Sequence, residues 1–118
     1  MFTITKEFAF SASHQLSHLP ETHRCARLHG HNYVVRVELS APDLDGTNFV
    51  RDYGELSALK NHIDGTMDHR HLNDVFGHDA VTAEFLAKTL YDWCKARWPE
   101  TSAVAVSETP KTWAIYRE

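Results

Sequence analysis

Disulfides, membrane spans and basic surplus are all missing from this chain. Its two cysteines, Cys25 and Cys94, stand in very different contexts, so a disulfide framework is not expected and a reducing cytoplasm fits. No apolar run is long enough to cross a bilayer, and no signal peptide is visible at the N-terminus. Twelve Lys and Arg against sixteen Asp and Glu leave a formal net charge of −4, which argues against a general nucleic-acid or membrane-surface binder. There is no repeat, low-complexity tract or linker. The 118 residues suit one domain over 1–118 with its own core.

Histidine is the residue in excess: there are nine, scattered rather than gathered in a tract. Three follow the strand periodicity. Phe2, Ile4, Phe8, Phe10, Ala12 and His14 share one parity, broken only by Lys6, which predicts a half-buried strand over 2–14. A polar connection over 15–28 follows, holding His18, His23, Arg24, Cys25 and Arg27. From 29 to 40, Tyr33, Val35, Val37 and Leu39 share parity with His29 and His31. Antiparallel pairing of the two strands brings the end of one to the start of the other, so the imidazoles of His14, His29 and His31 converge on one face. Taken alone, His14 reads as an end-of-strand residue facing water. Imidazole suits zinc, and a catalytic zinc usually has three protein ligands and one open position. Cys25 is close enough in sequence to serve as a fourth ligand, which would make the site closed and structural.

Further on, Asp52 and Glu55 resemble a capping box, with Leu56, Leu59 and Ile63 at helical spacing and Gly65 as the expected stop. Residues 66–81 read as irregular and contain the pair Asp68-His69, whose bland role is to satisfy a backbone group. Thr82 is the expected N-cap of a second helix, with Glu84 in its first turn and a stripe of Phe85, Leu86, Leu90, Trp93, Cys94 and Trp98. Cys94 reads as core. A hairpin ends the chain, turning at Pro110-Lys111. Glu108 shares parity with Val104 and Val106, so it either meets a donor or faces water. His18, His23, His62, His71 and His78 read as exposed. The expected fold is an α+β domain: a four-stranded antiparallel sheet with two helices on one face, in the order ββααββ. Its open edges call for cover or for pairing with other copies.

The ordered set His14, Cys25, His29-Gly30-His31 with Asn32-Tyr33, Asp68-His69, Leu72-Asn73, Thr82 with Glu84, and Ser107-Glu108-Thr109 resembles the 6-pyruvoyl-tetrahydropterin synthase superfamily. Within it, the short Cys25-to-His29 spacing is similar to the branch that forms 6-carboxytetrahydropterin for queuosine. Where many relatives have Pro-Thr-x-Glu-Asn, this chain has Val81-Thr82-Ala83-Glu84-Phe85. The resemblance implies the tunnelling fold, trimers closing a twelve-stranded barrel, a hexamer of two trimers, and sites at subunit interfaces. It implies Zn2+ on His14, His29 and His31, with Cys25 as catalytic thiol and Asp68 and His69 as an acid–base pair. It also implies Glu108 as the pterin anchor, with Thr82 and Thr109 nearby. The implied substrate is 7,8-dihydroneopterin triphosphate. Arg24, Arg27 and Lys111 are candidate phosphate contacts. A pyruvoyl-forming enzyme or another pterin side-chain lyase is the alternative activity.

Overall fold

A computed structural model describes residues 1–118. Two thirteen-residue strands, β1 (Phe2–His14) and β2 (His29–Ala41), form its longest element pair. β3 (Thr101–Thr109) and β4 (Thr112–Arg117) complete a sheet in the order β1-β2-β3-β4, antiparallel throughout. The period-2 pattern explains the burial. Phe8, Phe10, Ala12 and His14 point inward from β1, while Tyr33, Val35, Val37 and Leu39 point inward from β2. The opposite face carries charge, with Arg36 paired to Glu7 and Arg117 paired to Glu38.

Three helices cover the apolar face: α1 (Ser57–Thr66), α2 (Leu72–Phe76) and α3 (Ala83–Arg97). Asp52 opens the first helical stretch. Its side chain accepts from the backbone N–H of Gly54 and starts a 3-10 turn over Tyr53–Leu56, which runs on into α1. Leu59 and Ile63 of α1, and Leu86, Leu90 and Cys94 of α3, join the strand residues in one core cluster. The expected order ββααββ describes the arrangement, with α2 as a short addition.

Two local expectations need correction. Gly65 does not stop α1. The helix runs through Thr66, and the Met67 N–H still bonds the Ile63 carbonyl. Nor is 66–81 wholly irregular, because α2 lies within it and is closed by Gly77 in the left-handed region at φ 72°. That conformation favours glycine. Residues before α2 also dock on the outer edge of β1. The Ser11 carbonyl accepts from the His69 N–H, and the Ser13 N–H donates to the Arg70 carbonyl. The edge strand is therefore covered at its C-terminal end.

Candidate metal centre and its surroundings

The β1–β2 register sets the site. His14 lies opposite His29, and Ala12 lies opposite His31. One candidate ligand atom from each of His14, His29 and His31 falls within 4.8 Å of the others. Gly30 keeps the strand pair close here, since a Cβ at that position would sit 3.3 Å from the Ala12 carbonyl oxygen. The ring of His31 lies edge-on to those of His14 and His29, with centroids 5.1 and 4.9 Å away.

Hydrogen bonds fix which nitrogens are free. The Nδ1–H of His14 donates to the Val81 carbonyl at 2.7 Å, and the Nδ1–H of His29 donates to the Arg27 carbonyl at 2.7 Å. A carbonyl can only accept, so both neutral rings keep a lone pair on Nε2. Those two Nε2 atoms stand 2.8 Å apart. Two lone pairs at that distance repel unless a cation or a shared proton lies between them. The His31 Nε2 is buried and lacks a hydrogen-bond partner. Its nearest acidic neighbour is the Glu108 Oε2 at 3.4 Å, an electrostatic contact too long to be a good hydrogen bond. Three inward imidazole nitrogens, one orphaned and two facing each other, fit a divalent metal of the zinc type.

Burial lowers the pKa of His14 and of His31 from the ordinary histidine range. The Val81 carbonyl and the charge of Glu108 oppose that shift at His14, as Glu108 does at His31. Desolvation is the larger effect and favours the neutral imidazoles that a metal requires. Tyr33 lies beneath the cluster, stacked on Phe10 at 4.8 Å with its hydroxyl 3.4 Å from the His14 Nδ1. Burial and the Glu108 charge raise its pKa, so the phenol stays protonated.

Cys25 is outside the imidazole group. It is half-buried in a 3-10 turn, Arg24–Ala26, and its carbonyl accepts from the Leu16 N–H, two residues past the end of β1. Glu108 continues the inward parity of Val104 and Val106 and meets the cluster at His31. It also lines a cavity of about 300 Å³ with Glu84 and Trp113 between the start of α3 and β4. Sequence spacing gives Glu84 and Trp113 no part in the site, and only the fold brings them beside Glu108. Thr82 caps α3, its hydroxyl oxygen accepting from the Phe85 N–H. Thr109 is exposed and bonded through its hydroxyl to Thr112. Arg27 gives its carbonyl to His29, while its guanidinium forms no hydrogen bond or ion pair.

Asp68 and His69 sit on the edge of β1, where His69 lines a cavity of about 450 Å³ together with Ser11, Ser13 and His31. The Asp68 Oδ1 accepts from the Ser11 N–H and lies 2.9 Å from the His69 Nδ1. The carboxylate thus does satisfy a backbone group, and these bonds hold its pKa below the usual carboxylate range. His69 has φ 58°, in the left-handed region, and its side chain is 81% exposed. No hydrogen bond joins this pair to Cys25 within the chain. Of the five histidines read as exposed, His62, His71 and His78 are half-buried and engaged. His71 bonds the Ser13 hydroxyl, His62 stacks on Trp93, and His78 accepts from the Ala80 N–H.

Comparison with known proteins places this geometry. A family model described as 6-pyruvoyl tetrahydropterin synthase matches residues 3–118. A Bacillus subtilis protein named 6-carboxy-5,6,7,8-tetrahydropterin synthase is 33% identical, the match covering 98% of this chain and 85% of that one. A Synechocystis protein of the same name is 36% identical, covering 98% and 93%. The solved structure of Caenorhabditis elegans 6-pyruvoyl tetrahydropterin synthase superposes with a TM-score of 0.86 at 26% identity, covering 99% of this chain and 95% of that one.

Proposed function

The chain belongs to the 6-pyruvoyl tetrahydropterin synthase family, and from that premise we propose that it is a zinc-dependent lyase acting on 7,8-dihydroneopterin triphosphate. The products are 6-carboxy-5,6,7,8-tetrahydropterin, acetaldehyde and triphosphate, with water consumed, as a step of queuosine or 7-deazapurine synthesis. Residues 1–118 act as one domain in the cytoplasm, where two unpaired thiols persist. The observation that carries the reading is the three-imidazole cluster with Glu108 against it and Cys25 outside it. Two full-length relatives named for the carboxy product support the choice of reaction.

His14, His29 and His31 would hold the zinc. Bound there, zinc supplies a Lewis acid for a developing carbonyl. The Glu108 carboxylate accepts two parallel hydrogen bonds from the N–H edge of a pterin. Thr82 and Thr109 flank that anchor, and Arg27 extends an unpaired guanidinium for phosphate. The Cys25 thiolate takes a proton from side-chain carbon. His69, oriented by Asp68, moves the second proton. Because that pair stands on the β1 edge, it serves a thiol of another copy, in a hexamer built as a dimer of trimers.

Product analysis of zinc-loaded protein given 7,8-dihydroneopterin triphosphate tests the reading. Acetaldehyde and the 6-carboxy product are expected. The likeness to the nematode structure favours a second reading, a pyruvoyl-forming enzyme. Accumulation of a pyruvoyl pterin without acetaldehyde would establish that one instead. Cys25→Ala should abolish turnover and keep zinc at full stoichiometry, whereas loss of the metal with the thiol would mean a closed structural site.

A further inference from the structure

The turn that presents Cys25 is held by a side chain that the sequence marks as an ordinary exposed histidine. The Cys25 backbone N–H donates to the His23 Nδ1 at 3.0 Å. His23 has the extended backbone of an N-cap, φ −78° and ψ 129°, and the 3-10 turn Arg24–Ala26 begins immediately after it. Asp or Asn usually fills such a position, its side-chain oxygen bonding an N–H two or three residues on. The Nδ1 of histidine is the same number of bonds from the backbone as that oxygen, so it reaches the same donor. To accept, Nδ1 must be unprotonated, which puts the ring proton on Nε2.

The rest of the connection has few anchors. The His23 N–H bonds the Pro20 carbonyl, and the Ala26 and Arg27 N–H groups bond the carbonyls of His23 and Arg24. Beyond them the Cys25 carbonyl ties the turn to Leu16, and the Arg27 carbonyl orients the His29 ring. No residue of the turn is buried, so core packing does not fix its shape. The same device recurs at the other approach to the cluster. The His78 Nδ1 accepts from the Ala80 N–H three residues before α3, next to the Val81 carbonyl that orients His14.

We propose that His23 is a positioning residue for Cys25: its imidazole caps the short turn, fixes where the thiol points relative to the three-imidazole cluster, and touches neither substrate nor metal. The effect on turnover rests on the reading of Cys25 as the base. The effect on thiol exposure stands without it.

Three variants of the zinc-loaded full chain test this: His23→Ala, His23→Asn and Cys25→Ala. The readouts are the iodoacetamide alkylation rate of Cys25, kcat and KM for 7,8-dihydroneopterin triphosphate, and zinc content. In His23→Ala the turn opens. Alkylation should rise and kcat fall, the two fold-changes multiplying to about five- to tenfold, the population change set by one lost cap, while KM and zinc hold. His23→Asn, which keeps an acceptor at the same reach, should restore both rates. Unchanged alkylation in His23→Ala, or a His23→Asn variant as impaired as His23→Ala, would overturn the proposal. If Cys25→Ala still turns over, the catalytic reading of Cys25 fails, and the alkylation rates alone still decide the role of His23.

Discussion

Cys25 and Cys94 differ in what surrounds each sulfur. Cys94 is fully enclosed among the α3 core residues, and burial alone pushes its thiol pKa up to about 12. At pH 8 only about one molecule in ten thousand would carry a Cys94 thiolate, even before access is considered. Cys25 is half-buried in its surface turn. Ellman's reagent at pH 8 should therefore titrate one thiol in the native protein and two in guanidinium chloride, and Cys25→Ala should show none until unfolded. Two fast thiols in the native state would mean that α3 does not pack as described. At this scale the sequence was legible where a side chain obeys its strand's parity, as His14, His29, His31 and Glu108 do. It was not legible where a ring works through the backbone. His23 and His78 accept N–H groups two residues on, and nothing in a histidine's neighbours marks that use.

Element boundaries act on the centre through backbone carbonyls. The Val81 carbonyl that holds the His14 ring sits one residue before the α3 N-cap, so the first turn of α3 fixes an imidazole on β1. Thr82→Ala removes the bond to the Phe85 N–H and should cost about 1 kcal/mol of stability. It should also weaken zinc retention against a chelator, because a frayed first turn releases the carbonyl that orients His14. Thr82→Ser should recover both. A normal zinc affinity in a destabilised Thr82→Ala would separate the cap from the metal. The cap and the two long strands could be expected from sequence, since each shows a repeated or punctuated pattern. α2 could not, because five residues are too few for helical periodicity to emerge. The docking of Asp68 on Ser11 spans 57 positions and follows from tertiary packing alone.

As a whole the molecule is elongated, 55 × 24 × 24 Å, with a radius of gyration of 15.4 Å. A compact chain of this length would have about 13.5 Å. The excess comes from two thirteen-residue strands backed by short helices. β1 and β4 are the edges of the sheet, and β1 is covered only near Ser11 and Ser13. The Thr3, Thr5, Glu7 and Ala9 backbones share parity with Ser11 and aim their polar groups away from β2. On the proposed reading, in which His69 of one copy serves Cys25 of another, this open edge is where the copies would pair. Cys25→Ala and His69→Ala should each be nearly inactive alone. Mixed and reassembled in equal amounts, they should recover roughly a quarter of wild-type activity, because random assortment in a symmetric ring pairs an intact thiol with an intact imidazole at that frequency. Unmixed controls carried through the same reassembly should recover none. If the mixture also stays inactive while native mass spectrometry shows mixed oligomers, His69 of one copy does not serve Cys25 of another.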